Sequence, residues 1–190
     1  MSTPRPSVSP AERLARLRAE LQARGLDGFI VPISDEHLSE YVGGYAQRMA
    51  WLTGFGGSAG TAAVLSEKAA VFVDGRYTVQ VRAQVDGSLY DYVGVPQSSV
   101  AEWLGANVSA GQKIGYDPWL HSIDWARALA KALRARNAEL VAVESNPVDA
   151  VWSDQPPPSG APTMVHVTAL AGLSAAEKRS VIADWLKTRG

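Results

Sequence analysis

The chain has 190 residues, 46% of them hydrophobic, which is enough for one domain with a packed core and part of another. Its formal net charge of −1 gives no basic field for nucleic acid, and the lack of cysteine excludes disulfides, thiolate metal ligands and cysteine nucleophiles. It has neither an apolar run of about 18 residues nor the hydrophobic core of a secretion signal. We therefore expect a cytoplasmic protein that binds neither nucleic acid nor membrane.

The chain begins with a tail, a helix and a strand. Residues 1–9 are expected to form a flexible tail. A serine capping box at Ser9–Glu12, with proline at the first helical position, opens an amphipathic helix that Gly25 stops. The apolar run 27–32 then predicts a short buried strand. The polar segment 34–48 is too long for a tight turn, so it is either a mobile surface loop or a loop that carries a site.

Residues 51–77 contain a bend and a hairpin. A glycine-rich bend, 54–60, leads into two apolar strands, 61–65 and 69–73, that are separated by a polar turn of three residues. The charged segment 74–76 follows directly where the second strand stops. Because strand ends are rigid supports, this is a usual place for a functional side chain.

The remaining elements follow from apolar periodicity and capping residues. We predict helices at 77–85, 100–104 and 122–137, strands at 88–93, 112–116 and 139–143, and one helical turn at 146–152. Four prolines within 155–162 then interrupt regular structure and act as a semi-rigid spacer.

A second serine capping box at Ser174–Glu177 opens a last helix, and its apolar face is formed by Val181, Ile182, Trp185 and Leu186. Both capped helices end in Arg-Gly, but only the first is followed by a strand that covers its face. The pattern suggests a chain cut at the start of a second domain of similar design. Chance similarity of two amphipathic helices explains it equally well.

The familiar catalytic patterns are absent from the sequence. His37, His121 and His166 lie far apart and have no second metal ligand at helical spacing. The glycine-rich bend lacks the Gly-Lys-Ser/Thr ending of a phosphate loop. Ser58 precedes a strand rather than a helix, so we interpret it as part of a structural bend and not as a nucleophile. The tryptophans at 51, 103, 119, 125 and 152 are expected in the core or at an interface.

Two charged residues are candidates for binding a ligand. Arg76 stands at a strand end, where its guanidinium can clamp a carboxylate with two hydrogen bonds, or can simply pair with Asp74. Glu40 can form an ion pair with a peptide amine, or can be a solvated loop carboxylate. The residue types alone leave both alternatives open.

The chain resembles the N-terminal domain of long, three-domain Xaa-Pro aminopeptidases, which belong to the creatinase/prolidase superfamily of metallopeptidases. The resemblance rests on five segments: VPISDEHLSEY at 31–41, WLTGFGGSAGTA at 51–62, VDGRY at 73–77, IGYDP at 114–118 and NPVDAVW at 146–152. It implies an α/β fold, a mixed β-sheet flanked by helices with a ribonuclease H-like motif. It further implies a domain at 10–155, a proline-rich linker at 156–165, and the first helix of a truncated second domain at 166–190.

The resemblance also implies a function for the parent enzyme. Such an enzyme releases the N-terminal residue that precedes proline, using two divalent metal ions, usually manganese, held in a C-terminal pita-bread domain. It is expected to form a homodimer and to take peptides with proline second. Arg76 and Glu40 match positions that contact or support the substrate in this family. Because the metal-binding domain is not part of this sequence, the chain is expected to be non-catalytic and to hold no metal. The alternative is a stand-alone binding or dimerisation module with the same fold.

Overall fold

The computed structural model describes residues 8–190, so all but the last two residues of the predicted tail 1–9 lie outside it. The chain forms two compact units, one ending at Pro158 and the other spanning Ser159–Gly190. The helices are α1 (Pro10–Ala23), α2 (Arg48–Thr53), α3 (Thr78–Gln84), α4 (Val100–Asn107), α5 (Ile123–Arg134), α6 (Pro147–Val151), α7 (Thr168–Ala171) and α8 (Ala175–Lys187). The strands are β1 (Gly28–Pro32), β2 (Thr61–Leu65), β3 (Ala69–Asp74), β4 (Asp91–Val95), β5 (Lys113–Tyr116) and β6 (Glu139–Ala142).

The six strands form one mixed sheet in the order β4-β3-β2-β1-β5-β6. Strand β2 is antiparallel to both of its neighbours, and the other three pairings are parallel. The carboxyl ends of five strands and the amino end of β2 therefore meet at one edge, which we call the loop edge. Ligand sites of α/β proteins usually lie outside the carboxyl ends of parallel strands.

Helices cover the sheet on both faces because the central strands are apolar on both sides. In β1, Phe29 and Val31 pack with Leu14 and Leu17 of α1 on one face, whereas Ile30 packs against Leu133 of α5 on the other. Successive side chains of a strand point to opposite faces, so a strand that is buried throughout needs this continuous apolar run. The predicted mixed sheet flanked by helices is confirmed.

Several predicted elements are confirmed with small differences. The hairpin of β2 and β3 forms as predicted. Strand β4 begins three residues later than predicted, because the Asp86 carboxylate accepts a hydrogen bond from the Ser88 backbone N–H at 2.8 Å and holds a turn there. At the start of α1, the Ser9 side chain accepts from the Glu12 N–H, but the Glu12 carboxylate pairs with Arg16, so the predicted capping box is only half formed.

Ile123 is more exposed than predicted, and of the two locations predicted for Trp119, the core or an interface, the structure excludes the core. Ile123, placed on the apolar face of α5, is in the first turn of that helix and is 64% exposed. Trp119 is 74% exposed and so lies outside the core of this chain, whereas Trp51 stacks on Trp152 with ring centroids 5.4 Å apart. None of the helices between residues 8 and 190 has the length and apolar character needed to cross a bilayer.

Candidate functional site

The loop edge brings together three segments that are separate in sequence. Glu40 lies in the segment between β1 and α2, the glycine-rich bend leads into β2, and Asp74 ends β3. A short 3-10 turn, Gly75–Tyr77, follows Asp74 and presents the side chain of Arg76. The antiparallel direction of β2 matters here, because it makes the bend before β2 arrive at the same edge as the turn after β3.

Asp74 fixes the guanidinium of Arg76 in a paired contact. Arg76 Nε donates to Asp74 Oδ1 at 3.0 Å, and Nη2 donates to Oδ2 at 2.8 Å. The backbone N–H of Arg76 also donates to Oδ1, at 2.9 Å. The hydrogen bond from Arg76 holds the pKa of the Asp74 carboxyl below its usual range. The Arg76 side chain stays 64% exposed, and three of its five N–H groups remain for another acceptor.

The carboxylate of Glu40 contacts the glycine-rich bend. Ser58 Oγ donates to Glu40 Oε1 at 3.1 Å and lies 2.8 Å from the hydroxyl of Tyr77. The hydrogen bond to Asp74 and the charge of Asp74 raise the pKa of Arg76, and Tyr77 and then Glu40 make smaller contributions in the same direction. The charges of the two predicted binding residues therefore interact only weakly.

Glycine is required where the bend meets Tyr77. A Cβ on Gly57 would lie 2.4 Å from the ring of Phe55 and 2.8 Å from the ring of Tyr77. Phe55 is fully buried and meets Tyr77 edge-on, with ring centroids 5.6 Å apart. At Gly54 the backbone has φ of 84°, a left-handed conformation that favours glycine. The bend is thus held close to the turn that carries Arg76.

A small cavity of about 200 Å³ lies beside Glu40 and Ser58, and Tyr41 and Val42 also line it. On the opposite side of the loop edge, an apolar cavity of about 480 Å³ opens between the sheet and α5, with Asp74 on its rim. Asp74 therefore borders the apolar cavity, whereas Glu40 borders the separate, smaller one.

The loop that carries Glu40 is held by the buried carboxylate of Asp35. Asp35 Oδ1 accepts hydrogen bonds from the backbone N–H groups of His37 and Ser39, both at 3.0 Å. Burial raises the pKa of Asp35, but the hydrogen bonds from Ser39 and His37 outweigh this and the net effect lowers it. Leu38, between the two donors, has φ of 55°, a strained conformation for a leucine. Asp35 thus fixes an unusual turn two residues before Glu40.

The described residues do not offer a metal site. Between residues 8 and 190, no three His, Asp or Glu side chains are grouped so that they can hold a metal ion. His121 packs against Trp125 with ring centroids 3.8 Å apart, and its Nδ1 lies 3.0 Å from the carbonyl oxygen of Asp117. The described residues therefore do not supply the ligands that a metallopeptidase needs for its metal ions.

The structure brings Arg76 and Glu40 to one edge and adds two residues that sequence reasoning missed. Ser58 was interpreted only as part of a bend, and Tyr77 was only the end of the segment 73–77. The contact of Ser58 with Glu40 joins residues 18 apart, and the contact with Tyr77 joins residues 19 apart. No local spacing rule connects such positions, so only the small residues around Ser58 hinted at a close approach.

Comparison with known sequences identifies the family. Residues 13–151 match the Creatinase/Prolidase N-terminal domain. The chain belongs to this family. This creatinase/prolidase N-terminal domain is 38% identical to human Xaa-Pro aminopeptidase 2 over 174 residues, which is 91% of the chain and 26% of the human protein. It is 41% identical to a probable Xaa-Pro aminopeptidase P of Aspergillus clavatus over 175 residues, which is 90% of the chain and 27% of that protein.

Solved structures agree with this assignment. The creatinase/prolidase N-terminal domain aligns with an X-prolyl aminopeptidase of Caenorhabditis elegans, described as a cytosolic enzyme with a di-nuclear active site, at a TM-score of 0.81 and 30% identity. That alignment covers 95% of this chain and 31% of the nematode enzyme. The N-terminal domain of a cytoplasmic peptidase from Mycobacterium tuberculosis aligns at a TM-score of 0.55 and 29% identity, over 73% of this chain and 97% of that domain. The chain spans about a quarter of the length of the human and Aspergillus aminopeptidases named above.

Proposed function

We propose that this chain is the non-catalytic N-terminal domain of a metal-dependent Xaa-Pro aminopeptidase that releases the N-terminal residue preceding proline. One observation carries the proposal: the alignment with the nematode enzyme covers 95% of the chain, so it includes residues beyond the first unit, which ends at Pro158. The relatives are three to four times longer than this chain. The proposed partner is therefore a C-terminal catalytic domain, and residues 166–190 supply its first helix.

In this proposal the two metal ions, manganese, would be held by the catalytic domain and would supply activated water for peptide hydrolysis. The residues of this chain bind and orient the peptide. The three remaining N–H groups of Arg76 donate to carbonyl or carboxylate oxygens, and Asp74 keeps the guanidinium in one orientation. Glu40 supplies a negative charge for the free amino group of a peptide whose second residue is proline.

The proposed location is the cytoplasm, and the proposed assembly is a homodimer. The C. elegans enzyme, which is described as cytosolic, supports the location. The exposed apolar face of α8, where Trp185 is 54% exposed and Val181 is 60% exposed, is available for packing against more protein. The domain division at 10–155, 156–165 and 166–190 belongs to the same proposal.

The test begins with the reading frame beyond Gly190. A frame that continues into a metal-binding domain supports the proposal, and a stop codon there favours the stand-alone binding or dimerisation module. The extended protein is expected to cleave Xaa-Pro peptides when manganese is added and to spare matched peptides with alanine second. The 190-residue chain alone is expected to cleave neither. Metal-dependent turnover by the chain alone would contradict the assignment of catalysis to another domain.

A further inference from the structure

The hydroxyl groups of Ser58 and Tyr77 form a hydrogen-bond chain with a fixed direction. An ionised carboxylate accepts hydrogen bonds and cannot donate them, so the Ser58 hydroxyl donates to Glu40 Oε1. Its single proton is then used, and the Tyr77 hydroxyl must donate to Ser58 Oγ across 2.8 Å. The backbone N–H of Ser58 donates in turn to the Tyr77 oxygen, at 3.3 Å. Every proton in this arrangement has one assigned acceptor.

This chain of hydrogen bonds leaves one oxygen of Glu40 open. Ser58 engages Oε1, and among residues 8–190 no hydrogen bond reaches Oε2. The side chain is exposed and borders the cavity of about 200 Å³. We infer that Ser58 is a positioning residue: it holds the Glu40 carboxylate so that the second oxygen meets the free amino group of a peptide. Tyr77 supports this by orienting the Ser58 hydroxyl.

The hydrogen-bond chain of Ser58 and Tyr77 is also in contact with Arg76. The Tyr77 ring packs edge-on against buried Phe55, and the Arg76 guanidinium carbon lies 5.2 Å from the centre of the Tyr77 ring. The missing side chain of Gly57 allows the bend to contact this ring. Tyr77 therefore contacts Arg76, which binds peptide oxygens. Through Ser58, Tyr77 also orients Glu40, which binds the peptide amine.

The kinetic signature follows from where the peptide amine sits. This inference rests on the proposed function, since it assigns Ser58 to the same peptide site. The amino group carries its charge in the bound peptide before the reaction. Loss of the Ser58 hydrogen bond to Glu40 therefore weakens binding of the ground state and of the transition state equally. Such a uniform loss raises KM and leaves kcat nearly unchanged.

The experiment uses the extended protein that includes the catalytic domain. Ser58→Ala is expected to raise KM for an Xaa-Pro peptide on the order of three- to tenfold, with kcat changed less than about twofold. Ser58→Thr keeps the hydroxyl and should restore KM, and Tyr77→Phe should change KM in the same direction as Ser58→Ala. Ser66→Ala is the matched control, because Ser66 is exposed in the turn at the opposite edge of the sheet.

A double-mutant cycle separates positioning from a merely structural effect. If Ser58 acts through Glu40, Ser58→Ala adds no further rise in KM to a Glu40→Ala variant. An additive effect, or an unchanged KM in the single variant, would overturn the inference while leaving the proposed function in place. A wild-type extended protein that cleaves no Xaa-Pro peptide would overturn the proposed function, and the peptide site of Ser58 with it.

Discussion

The carboxylate of Asp149 pairs with the guanidinium of Arg48 through two hydrogen bonds, Nε to Oδ1 at 2.7 Å and Nη2 to Oδ2 at 2.8 Å. The pair joins α2 to α6 across 101 positions of sequence. The Arg48 side chain is only 10% exposed, whereas that of Asp149 is 33% exposed and also accepts from Gln155 Nε2. Arg48 therefore depends more on Asp149 for its counter-charge than Asp149 depends on Arg48.

We expect Asp149→Ala to destabilise the chain more than Arg48→Met. Removing Asp149 leaves a buried guanidinium without its counter-charge, and the expected loss is about 2–3 kcal/mol, less than for a fully buried pair because Asp149 is partly solvated. After Arg48→Met, water and Gln155 still satisfy the carboxylate. Urea unfolding of both variants and of the double variant measures this order. An equal or reversed order would show that Arg48 tolerates the loss of its partner.

Arg76→Ala is expected to reduce kcat/KM of the extended protein more than tenfold, which is about 1.4 kcal/mol of transition-state binding. Arg76→Lys should restore only part of the loss, because an ammonium cannot reproduce the planar fork of a guanidinium. The unfolding midpoint of the 190-residue chain should stay near wild type, since this side chain is 64% exposed. Unchanged kinetics, or a variant that unfolds much more readily, would show that Arg76 serves only as a structural partner of Asp74.

Gly57 and Gly75 provide a matched pair of test positions, one crowded and one open. Gly57→Ala is expected to destabilise the chain, because the new Cβ would overlap the rings of Phe55 and Tyr77. Gly75→Ala should not, because a Cβ on Gly75 would meet no atom within 4 Å. If a peptide or a neighbouring domain approaches this open space, Gly75→Ala should lower activity of the extended protein while thermal unfolding stays unchanged. Stable and fully active Gly75→Ala protein would argue against such an approach.

The buried ring of His121 predicts a loss of stability in mild acid. Burial lowers the pKa of His121, and this outweighs the hydrogen bond to the Asp117 carbonyl. As pH falls below about 6.5, the unfolded chain takes up the proton before the folded chain does, so stability decreases until the pH passes the folded pKa. For this single group the slope cannot exceed about 1.4 kcal/mol per pH unit. His121→Phe should flatten this part of the stability profile, and an equally steep profile in that variant would point to other groups.

Helix α8 is expected to exchange its amide hydrogens much faster than the sheet when the 190-residue chain is a monomer. It has 13 residues and its four large apolar side chains are all more than half exposed, whereas isolated helices of this length are marginal in water. Hydrogen exchange with mass spectrometry measures the difference. Equal protection of α8 and β2 in a proven monomer would contradict the expectation.

The sequence predicted elements whose evidence is local. The β2–β3 hairpin has apolar runs on both sides of a polar turn, and α5 has leucines spaced by four, so each could be located without knowing its neighbours. Sheet order is different: β1 pairs in parallel with β5, with Gly28 opposite Ile114, and only packing of the whole chain decides this. The start of β4 was missed because a side-chain turn at Asp86 competes with the strand.

The candidate site was predictable in part for the same reason. Arg76 stands directly after a strand, and strand ends are identifiable from apolar runs. The partners of Glu40 were not identifiable, because Ser58 meets it only after β2 enters the sheet in the antiparallel direction. The positions of the Ser58 and Tyr77 hydroxyls therefore follow from the sheet topology and not from the spacing of residues in the sequence.

The antiparallel hairpin also gives a place to attach a reporter. The turn between β2 and β3 lies at the far edge of the sheet, roughly 17 Å from the glycine-rich bend for a five-residue strand, and Glu67 in that turn is exposed. Since the 190 residues contain no cysteine, Glu67→Cys would carry the single thiol of this chain. A fluorophore attached there would follow docking of this domain onto another protein without touching the groups that hold the peptide.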